Sequence, residues 1–312
     1  MFENKEYIFE IYKTRSFSKA AENLYISQPS LSLTVKRIER SLGTQLFDRS
    51  SNPIAMTDSG LEYIKCAQKL MDIENEYGNY INELENLQRG TLTIGASNFF
   101  TSYILPKFIA IFLSEYPGIE LNVIEADANT LEKKLFSGEL DMIVENMEMD
   151  DKIYKKLKFY RERLLLAVPK KFLCNEGISA KALSAMDIKK NIHKDKTMST
   201  IDFNELGDTP FLLLRFGNNT RELSDKIFKE QGFKPNAILE LDQLATAYYL
   251  ASHELGATLV SDTIVKETLP DDRLVYYKLD SKLATRQNYF FYKQGKYVSK
   301  AMEKFLEIAL KK

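Results

Sequence analysis

The stretch that decides the fold of the N-terminal part of this chain is SFSKAAENLYISQPSLSLTVKRIERSLGTQLFDRS, residues 16–50. Ser27 is a helix N-cap candidate, and Pro29 falls in the first turn that follows, where a missing backbone N–H costs nothing. An apolar stripe then recurs at spacings of four, three and four residues: Leu31, Val35, Ile38 and Leu42. Such spacing places these side chains on one face of a helix. The pattern predicts a helix that begins near Gln28 and buries this face.

The opposite side of the same helix is polar and basic. At 100° per residue, the side chains that point away from the stripe are Pro29, Ser32, Leu33, Lys36, Arg37 and Arg40. Between residues 28 and 49, four Lys or Arg residues stand against one Asp and one Glu, although the whole chain has a net charge of −1. A local excess of positive charge suits contact with nucleic acid. We expect this side of the helix to be a docking face.

Short helices and a hairpin flank the docking helix. Apolar residues at near-helical spacing predict a helix over residues 2–14, and Ser16 opens a second one. Downstream, Asn52-Pro53 lies between short apolar pairs, which is typical of a hairpin or wing. Thr57 or Asp58 can cap the helix after the wing.

Residues 61–89 contain no proline and keep a helical seam of apolar side chains. A helix of this length has no core of its own, so the seam needs a partner. The simplest partner is the same helix of a second copy. We therefore predict dimerisation through the seam residues Ile73, Tyr77, Ile81, Leu84 and Leu87.

Strands alternate with helices from Gly90 onwards. Strands are predicted at 92–96, 120–125 and 140–145, with helices between them, and a second set of similar elements occupies 164–260. This alternation is typical of two α/β lobes built on mainly parallel sheets. The polar stretch 170–208 is poorly periodic and predicts a surface excursion with one or two short helices.

Composition narrows the class of protein. The chain has 312 residues, 44% of them hydrophobic and 28% charged, so we expect two or three globular units. Its start lacks a secretory signal pattern and no apolar run could span a bilayer, which predicts a cytoplasmic protein. Cys66 and Cys174 are far apart and lack metal-ligand spacing, which argues against a disulfide framework or zinc site; a redox-sensing pair is the alternative.

The run from Ser16 to Ser50 closely resembles the DNA-binding segment of LysR-type transcriptional regulators. The similarity is carried by SFSKAA at 16–21, SQPS at 27–30, Leu42-Gly43 through Leu46-Phe47 to Arg49, and Met56-Thr57 to Gly60. Beyond residue 90 it is weaker and is carried by GELD at 138–141 and LGA at 255–257. Two features depart from the family pattern: the 170–208 excursion looks long, and Val260-Ser261 stands where a proline is frequent.

The resemblance implies the fold and its division. An N-terminal all-α winged helix-turn-helix would occupy residues 1–60, and a linker and dimerisation helix would occupy 61–89. A C-terminal α/β domain with two lobes, similar to periplasmic binding proteins, would bind an effector at 90–312. We expect lobe I at about 90–162 and 270–312, and lobe II at about 163–269.

The resemblance and the docking face together predict the DNA contacts. Gln28 can read an adenine edge, with Ser32 and Lys36 one turn apart for further contacts, and the exposed Leu33 can pack on a thymine methyl group. Residues 16–19 and Arg49 suit phosphate contacts, which position the protein without reading sequence. The full predicted set is Ser16, Ser18, Lys19, Ser27, Gln28, Pro29, Ser30, Ser32, Leu33, Lys36, Arg37, Arg40 and Arg49.

The effector site is predicted at two helix N-termini that follow strands, one at residues 97–101 and the other at 217–221. Arg221 adds a cation suited to a carboxylate. The predicted residues are Ser97, Asn98, Thr101, Asn218, Asn219, Thr220 and Arg221. The alternative is plain capping by Asn98 or Thr220, with Arg221 in solvent.

No catalytic, cofactor or metal motif is predicted, because His193 and His253 lie outside any nucleophile or ligand spacing. We expect a sequence-specific regulator that binds an interrupted inverted repeat of double-stranded DNA as a homodimer or homotetramer. A small organic effector, possibly a carboxylate, would control it, and RNA polymerase is a candidate partner. The alternative is a two-lobed solute-binding protein or enzyme, which would need an export signal or a catalytic cluster. A purely structural oligomerisation protein would leave the docking face unexplained.

Overall fold

A computed structural model describes residues 2–48, 50–51, 53–84, 90–172 and 174–311. The chain forms two compact units, Met1–Leu84 and Glu85–Lys312. The elements of the first unit are α1 (Lys5–Thr14), α2 (Phe17–Asn23), α3 (Gln28–Leu42), β1 (Phe47–Asp48), β2 (Ala55–Met56) and α4 (Asp58–Leu84). β1 and β2 form an antiparallel hairpin, with Phe47 opposite Met56. Together these elements make a winged helix-turn-helix that continues into a long helix.

The core of the first unit is made by residues that recur at helical spacing. α3 contributes Leu31, Val35 and Ile38, which pack with apolar residues of α1, α2, the wing and the start of α4. Leu42 is only partly buried against this cluster. The predicted apolar stripe is therefore the buried side of α3.

Gly60 allows the wing and α4 to approach closely. A Cβ at this position would lie 2.1 Å from the carbonyl oxygen of Leu46. No side chain fits at that distance, so the position requires glycine. The Thr57 hydroxyl accepts from the Gly60 N–H at 3.0 Å and donates to the Gln45 carbonyl at 2.7 Å. The stretch from Thr57 to Gly60 therefore ties the wing to the start of α4.

The second unit contains nine strands within its described residues. They are β3 (Gly90–Ala96), β4 (Ile119–Glu125), β5 (Met142–Glu145), β6 (Tyr154–Pro169), β7 (Pro210–Leu214), β8 (Asn236–Leu241), β9 (Thr258–Ser261), β10 (Leu274–Lys278) and β11 (Thr285–Lys293). The helices are α5 (Asn98–Tyr103), α6 (Leu105–Glu115), α7 (Ala128–Phe136), α8 (Cys174–Ile178), α9 (Ala185–Lys189), α10 (Asn219–Glu230), α11 (Leu244–Ser252), α12 (Asp262–Glu267) and α13 (Lys300–Leu310).

Two long strands join the two lobes of this unit. β3 lies between β4 and β5 and is parallel to both, and β11 pairs antiparallel with β5. β11 also pairs antiparallel with β6, which continues into the second lobe and pairs there with β9 and β10. β7 and β8 form a separate parallel pair in that lobe. Residues near the middle of β6 and the start of β11 consequently lie where the lobes meet.

Residues 170–208 contain two short helices, as the sequence predicts, and many exposed residues, but part of the stretch is buried and is not a surface excursion. They form α8, α9 and three short 3₁₀ turns, and Ile178, Ile188 and Phe203 are buried in the cores of the second lobe. His193 is also buried, and its Nε2 lies 2.9 Å from the Asp262 carboxylate. The apolar residues of this stretch are spaced irregularly. The sequence therefore shows neither the helical nor the strand period from which their burial could be predicted.

The boundary between the lobes also differs from the predicted one. The predicted first lobe includes residues 270–312. In the structure, β10 pairs with the C-terminal part of β6, residues 165–169, and Tyr276 of β10 is buried in a core of the second lobe. β11 and α13 contribute Phe290 and Phe305 to the core of the first lobe. The chain returns to the first lobe only at β11, because that strand pairs with both β6 and β5.

Candidate functional site

The docking face of α3 is presented by a capped and firmly packed helix. The Ser27 hydroxyl accepts a hydrogen bond from the Ser30 N–H at 3.3 Å, and α3 begins at Gln28. Ser32 is half-buried. The other predicted residues of this helix are exposed: Gln28, Pro29, Ser30, Leu33, Lys36, Arg37 and Arg40. The face is therefore open to solvent on the side opposite the buried stripe.

Glu39 lies on the buried side of α3 and does not offset the positive charge of the docking face. Its carboxylate accepts hydrogen bonds from the N–H groups of Leu46, at 2.9 Å, and Phe47, at 3.3 Å. Sequence reasoning counted Glu39 against the basic residues of the face, whereas the structure uses it to hold the start of the wing. The exposed charged residues of α3 are consequently Lys36, Arg37 and Arg40.

Two further groups of predicted DNA contacts lie before and after α3 in the sequence, at the start of α2 and in the wing. Ser16 caps α2 by accepting from the Lys19 N–H at 3.3 Å, while Ser18 and Lys19 are exposed. In the wing, the hydroxyl and N–H of Ser50 both donate to the Asp48 carboxylate, and these bonds lower the pKa of Asp48. Arg49 lies outside the described residues.

The predicted dimerisation seam lies on α4 and is described in part. Ile73 is 59% exposed and Tyr77 is 65% exposed, so both side chains are accessible to a second subunit. The side chains of Ile81 and Leu84, and the whole of Leu87, lie outside the described residues.

A cavity of about 90 Å³ lies between the two lobes of the second unit. The first lobe lines it with Ser97, Phe99, Phe100, Asp127, Ala128, Glu145 and Asn146. The second lobe and β11 line it with Gly217, Asn218, Asn219, Thr220, Gln243, Leu244 and Arg286. Four of the predicted effector residues are among them: Ser97, Asn218, Asn219 and Thr220.

Three predicted effector residues do not line this cavity. Asn98 and Thr101 both donate to the exposed Glu125 carboxylate, at 3.2 Å and 2.8 Å. Arg221 is buried, and its guanidinium binds the carboxylates of Asp225, at 3.0 Å, and Glu240, at 2.8 Å. Its charge is therefore neutralised inside the second lobe, and neither a role in the cavity nor the alternative of free solvation fits this geometry.

The cation that does line the cavity is Arg286, which sequence reasoning missed. It is buried, its Nη2 lies 2.8 Å from the Glu162 carboxylate, and its Nη1 donates to the Thr220 hydroxyl at 2.8 Å. Glu162 is also buried and accepts a hydrogen bond from the Ser261 hydroxyl. The bond to Thr220 fixes the N-terminus of α10 against the strands that join the lobes.

Glu145 was also missed, and it is the buried acid of the cavity. Burial raises the pKa of its carboxyl group to about 7, although hydrogen bonds from Ser97 and the Asn146 N–H and the charge of Arg286 act in the opposite direction. The Ser97 N–H donates to one carboxylate oxygen at 3.1 Å. A sequence signal did exist, because a carboxylate that ends a strand of apolar residues, MIVE at 142–145, calls for an explanation.

The remaining polar candidates belong to the packing of the second lobe or to surfaces. Burial raises the pKa of Asp262, but hydrogen bonds from His193, the Arg163 N–H and Lys266 outweigh it and lower the pKa to about 2. The His253 ring lies 4.7 Å from that of Tyr249. Cys66 and Cys174 are free thiols.

Among the described residues, no cluster of His, Cys, Asp and Glu could hold a metal ion. No helix of the described residues is long and apolar enough to cross a membrane.

Family models match both parts of the chain. Residues 2–61 match the bacterial regulatory helix-turn-helix protein, lysR family, and residues 85–188 and 197–312 match the LysR substrate binding domain. The chain belongs to the LysR family of transcriptional regulators, which are DNA-binding proteins that respond to small-molecule effectors and form oligomers. The residues between the two matched segments of the second model, 189–196, include the buried His193.

Several relatives span nearly the whole chain. The HTH-type transcriptional regulator YcgK of Bacillus subtilis is 30% identical over 97% of this chain and 92% of its own length. A protein of Trieres chinensis named Probable RuBisCO transcriptional regulator is 28% identical over 82% of this chain and 78% of its own. Among solved structures, full-length OxyR from Pseudomonas aeruginosa has a TM-score of 0.67 at 21% identity, covering 97% of this chain and 95% of its own. CbnR in complex with its target DNA has a TM-score of 0.58 at 16% identity, covering 97% and 96%. These two structures share the fold of this chain.

Proposed function

We propose that this regulator reads an interrupted inverted repeat as an even-numbered homo-oligomer, and that an organic effector bound between the lobes changes how the subunits sit on DNA. The observation that carries the proposal is the exposed basic face of α3 on a helix whose other side is buried. Because a two-fold dimer presents two such helices, its DNA site would have two inverted half-sites.

The residues of the docking face divide into two roles. Gln28 reads an adenine edge from the N-terminus of α3, and Ser32 and Lys36 contact further base edges or phosphates. Leu33, which is 63% exposed, packs on a thymine methyl group. The remaining polar residues position the protein on phosphates: Ser16, Ser18, Lys19, Ser27, Ser30, Arg37, Arg40 and Arg49. Pro29 has no N–H to donate and contributes only its apolar ring to the contact surface.

The effector binds in the cavity between the lobes. Ser97, Asn218, Asn219 and Thr220 line it and supply neutral hydrogen-bonding groups from both lobes. A ligand that contacts both sides stabilises one relative arrangement of the lobes, and this difference in affinity is the free energy available for control. The protein works in the cytoplasm, where its DNA lies, and performs no catalytic step.

Selection from a pool of random DNA duplexes by the full-length chain tests this function. We expect enriched sequences to contain two inverted half-sites separated by a fixed spacer, with their centres about one or more helical turns apart. Selection that enriches single half-sites, or no sequence at all, would overturn the proposed mode of binding.

A further inference from the structure

The charges that line the cavity are arranged for a cation. Three of its described lining residues are charged: Asp127, Glu145 and Arg286. Arg286 is paired with the buried Glu162, which is itself a full negative charge. Asp127 is exposed and caps α7, where its carboxylate accepts from the N–H and hydroxyl of Thr130. Since the Arg286–Glu162 pair is internally neutral, the buried Glu145 leaves the cavity with an unpaired negative charge above about pH 7. A simple carboxylate ligand would enter against this charge.

Glu145 has the geometry of a ligand-binding carboxylate. Its side chain is 3% exposed, and it lines the cavity from the end of β5. The Ser97 N–H donates to one of its oxygens at 3.1 Å and the Asn146 N–H donates to the other at 3.4 Å. The Ser97 side chain also hydrogen-bonds to this carboxylate. A carboxylate offers about four acceptor positions, so one position remains for another donor. An ammonium group in the cavity could supply that donor together with a compensating charge.

Arg286 adds an independent requirement on the ligand. This side chain is 8% exposed, and its Nε has no hydrogen-bond partner among the described residues, although its Nη groups bind Glu162 and Thr220. The Nε is enclosed by protein. A guanidinium has five N–H donors, so the Nη groups of this lining residue, which bind Glu162 and Thr220, retain N–H groups for an oxygen acceptor on the ligand. The cavity volume of about 90 Å³ has room for a small polar ligand.

We propose that the effector is a small primary amine with a nearby oxygen acceptor, such as an amino alcohol or an amino acid, and that its ammonium group binds Glu145. This inference rests on the proposed function of the cavity and replaces the expected simple carboxylate. The oxygen of the ligand accepts from Arg286, and the cavity discriminates against anions that lack an amine.

Thermal unfolding of the full-length protein with four probes tests the ligand class. Ethanolamine and glycine carry an amine and an oxygen, whereas ethylene glycol and acetate lack the amine. At millimolar concentration and about pH 8, where Glu145 is ionised, we expect at least one amine to raise Tm, because a ligand that binds only the folded state stabilises it. Ethylene glycol and acetate should leave Tm unchanged.

Glu145→Gln tests the residue. The amide keeps the shape and an acceptor oxygen but removes the charge, so we expect amine affinity, measured by calorimetry, to fall about ten- to hundred-fold. Glu125→Gln is the matched control, since Glu125 is exposed and outside the cavity lining, and it should keep wild-type affinity.

Three results would overturn the inference: a Tm shift with acetate and with neither amine, no shift with any probe, or wild-type amine affinity in Glu145→Gln. Each variant is also subjected to the DNA selection. If selection still recovers inverted half-sites while the amines fail, only the ligand class is wrong. If selection fails in the wild type, the proposed function itself is wrong.

Discussion

Arg221 Nη1 lies 2.8 Å from a carboxylate oxygen of Glu240, and the same guanidinium binds Asp225 and the Leu214 carbonyl. This cation therefore joins α10 to β7 and β8 inside the second lobe. A cation that looks free in the sequence, at the start of a helix, is committed to neighbours that the sequence does not place beside it.

We expect Arg221→Ala to destabilise the protein by about 2 kcal/mol, because it leaves a buried carbonyl and two partly exposed carboxylates without their partner. Chemical denaturation measures this loss. Arg215→Ala is the control, since Arg215 and Asp242 are 3.6 Å apart and largely exposed, and it should cost less than about 1 kcal/mol. Equal effects in the two variants would contradict this role for Arg221.

Glu39 is expected to support DNA binding from the buried side of α3. Glu39→Ala leaves the buried N–H groups of Leu46 and Phe47 without an acceptor, which costs about 2 to 4 kcal/mol. Unfolding of the full chain should show this loss, and operator affinity should fall although Glu39 is not on the docking face. Removal of the exposed Glu22 should change neither quantity. Unchanged stability in Glu39→Ala would show that the wing is held by other contacts.

The docking face makes separable predictions for specificity and affinity. Gln28→Ala should reduce the ratio of specific to non-specific affinity, since it removes a contact to a base edge. The free-energy difference between the two kinds of binding should fall by about 1 to 3 kcal/mol. Arg37→Ala should weaken binding to all DNA and lower the slope of log affinity against log salt by about one. Competition binding at two salt concentrations distinguishes the two effects. An unchanged ratio in Gln28→Ala would remove its assigned role.

The exposed part of the α4 seam should carry subunit contacts. Ile73→Glu places an unpaired charge in an apolar contact and should shift the protein towards smaller species in sedimentation. Lys69→Glu changes an exposed residue of the same helix by a larger charge and should leave the mass unchanged. If Ile73→Glu also keeps its mass, the subunit contact lies elsewhere.

Glu145 should make stability depend on pH. Its folded-state pKa, about 7, lies above the ordinary value of 4.5, so the folded state retains a proton that the unfolded state has lost between these pH values. Stability therefore falls as pH rises through this window, by about 3 kcal/mol in total. Glu145→Gln should lose this part of the pH dependence, so its stability relative to the wild type rises from about pH 4.5 to about pH 7. Parallel pH profiles for the two proteins would contradict the assignment.

The sequence by itself determined the DNA-binding half. The order of its helices, the start of α3 at Gln28, and the division of that helix into a buried and an exposed side all follow from local spacing and capping. These features depend on residues within a few turns of one another, and a helix repeats its faces regularly, so the pattern is legible in one dimension. Even here, the inward position of Glu39 required the wing to be placed against α3.

Only the tertiary structure decided which residues line the ligand cavity. The sequence indicated helix N-termini after strands, and these supplied Ser97, Asn218, Asn219 and Thr220. It did not indicate that β5 and β11 are neighbours, which brings Glu145 and Arg286 to the same cavity. Nor did it show that Arg221 meets Glu240 across α10 and β8. Whether a charged side chain is available to a ligand or is paired within the protein depends on which strand lies beside it. Pairing between strands that are distant in the sequence leaves no periodic signal along the chain.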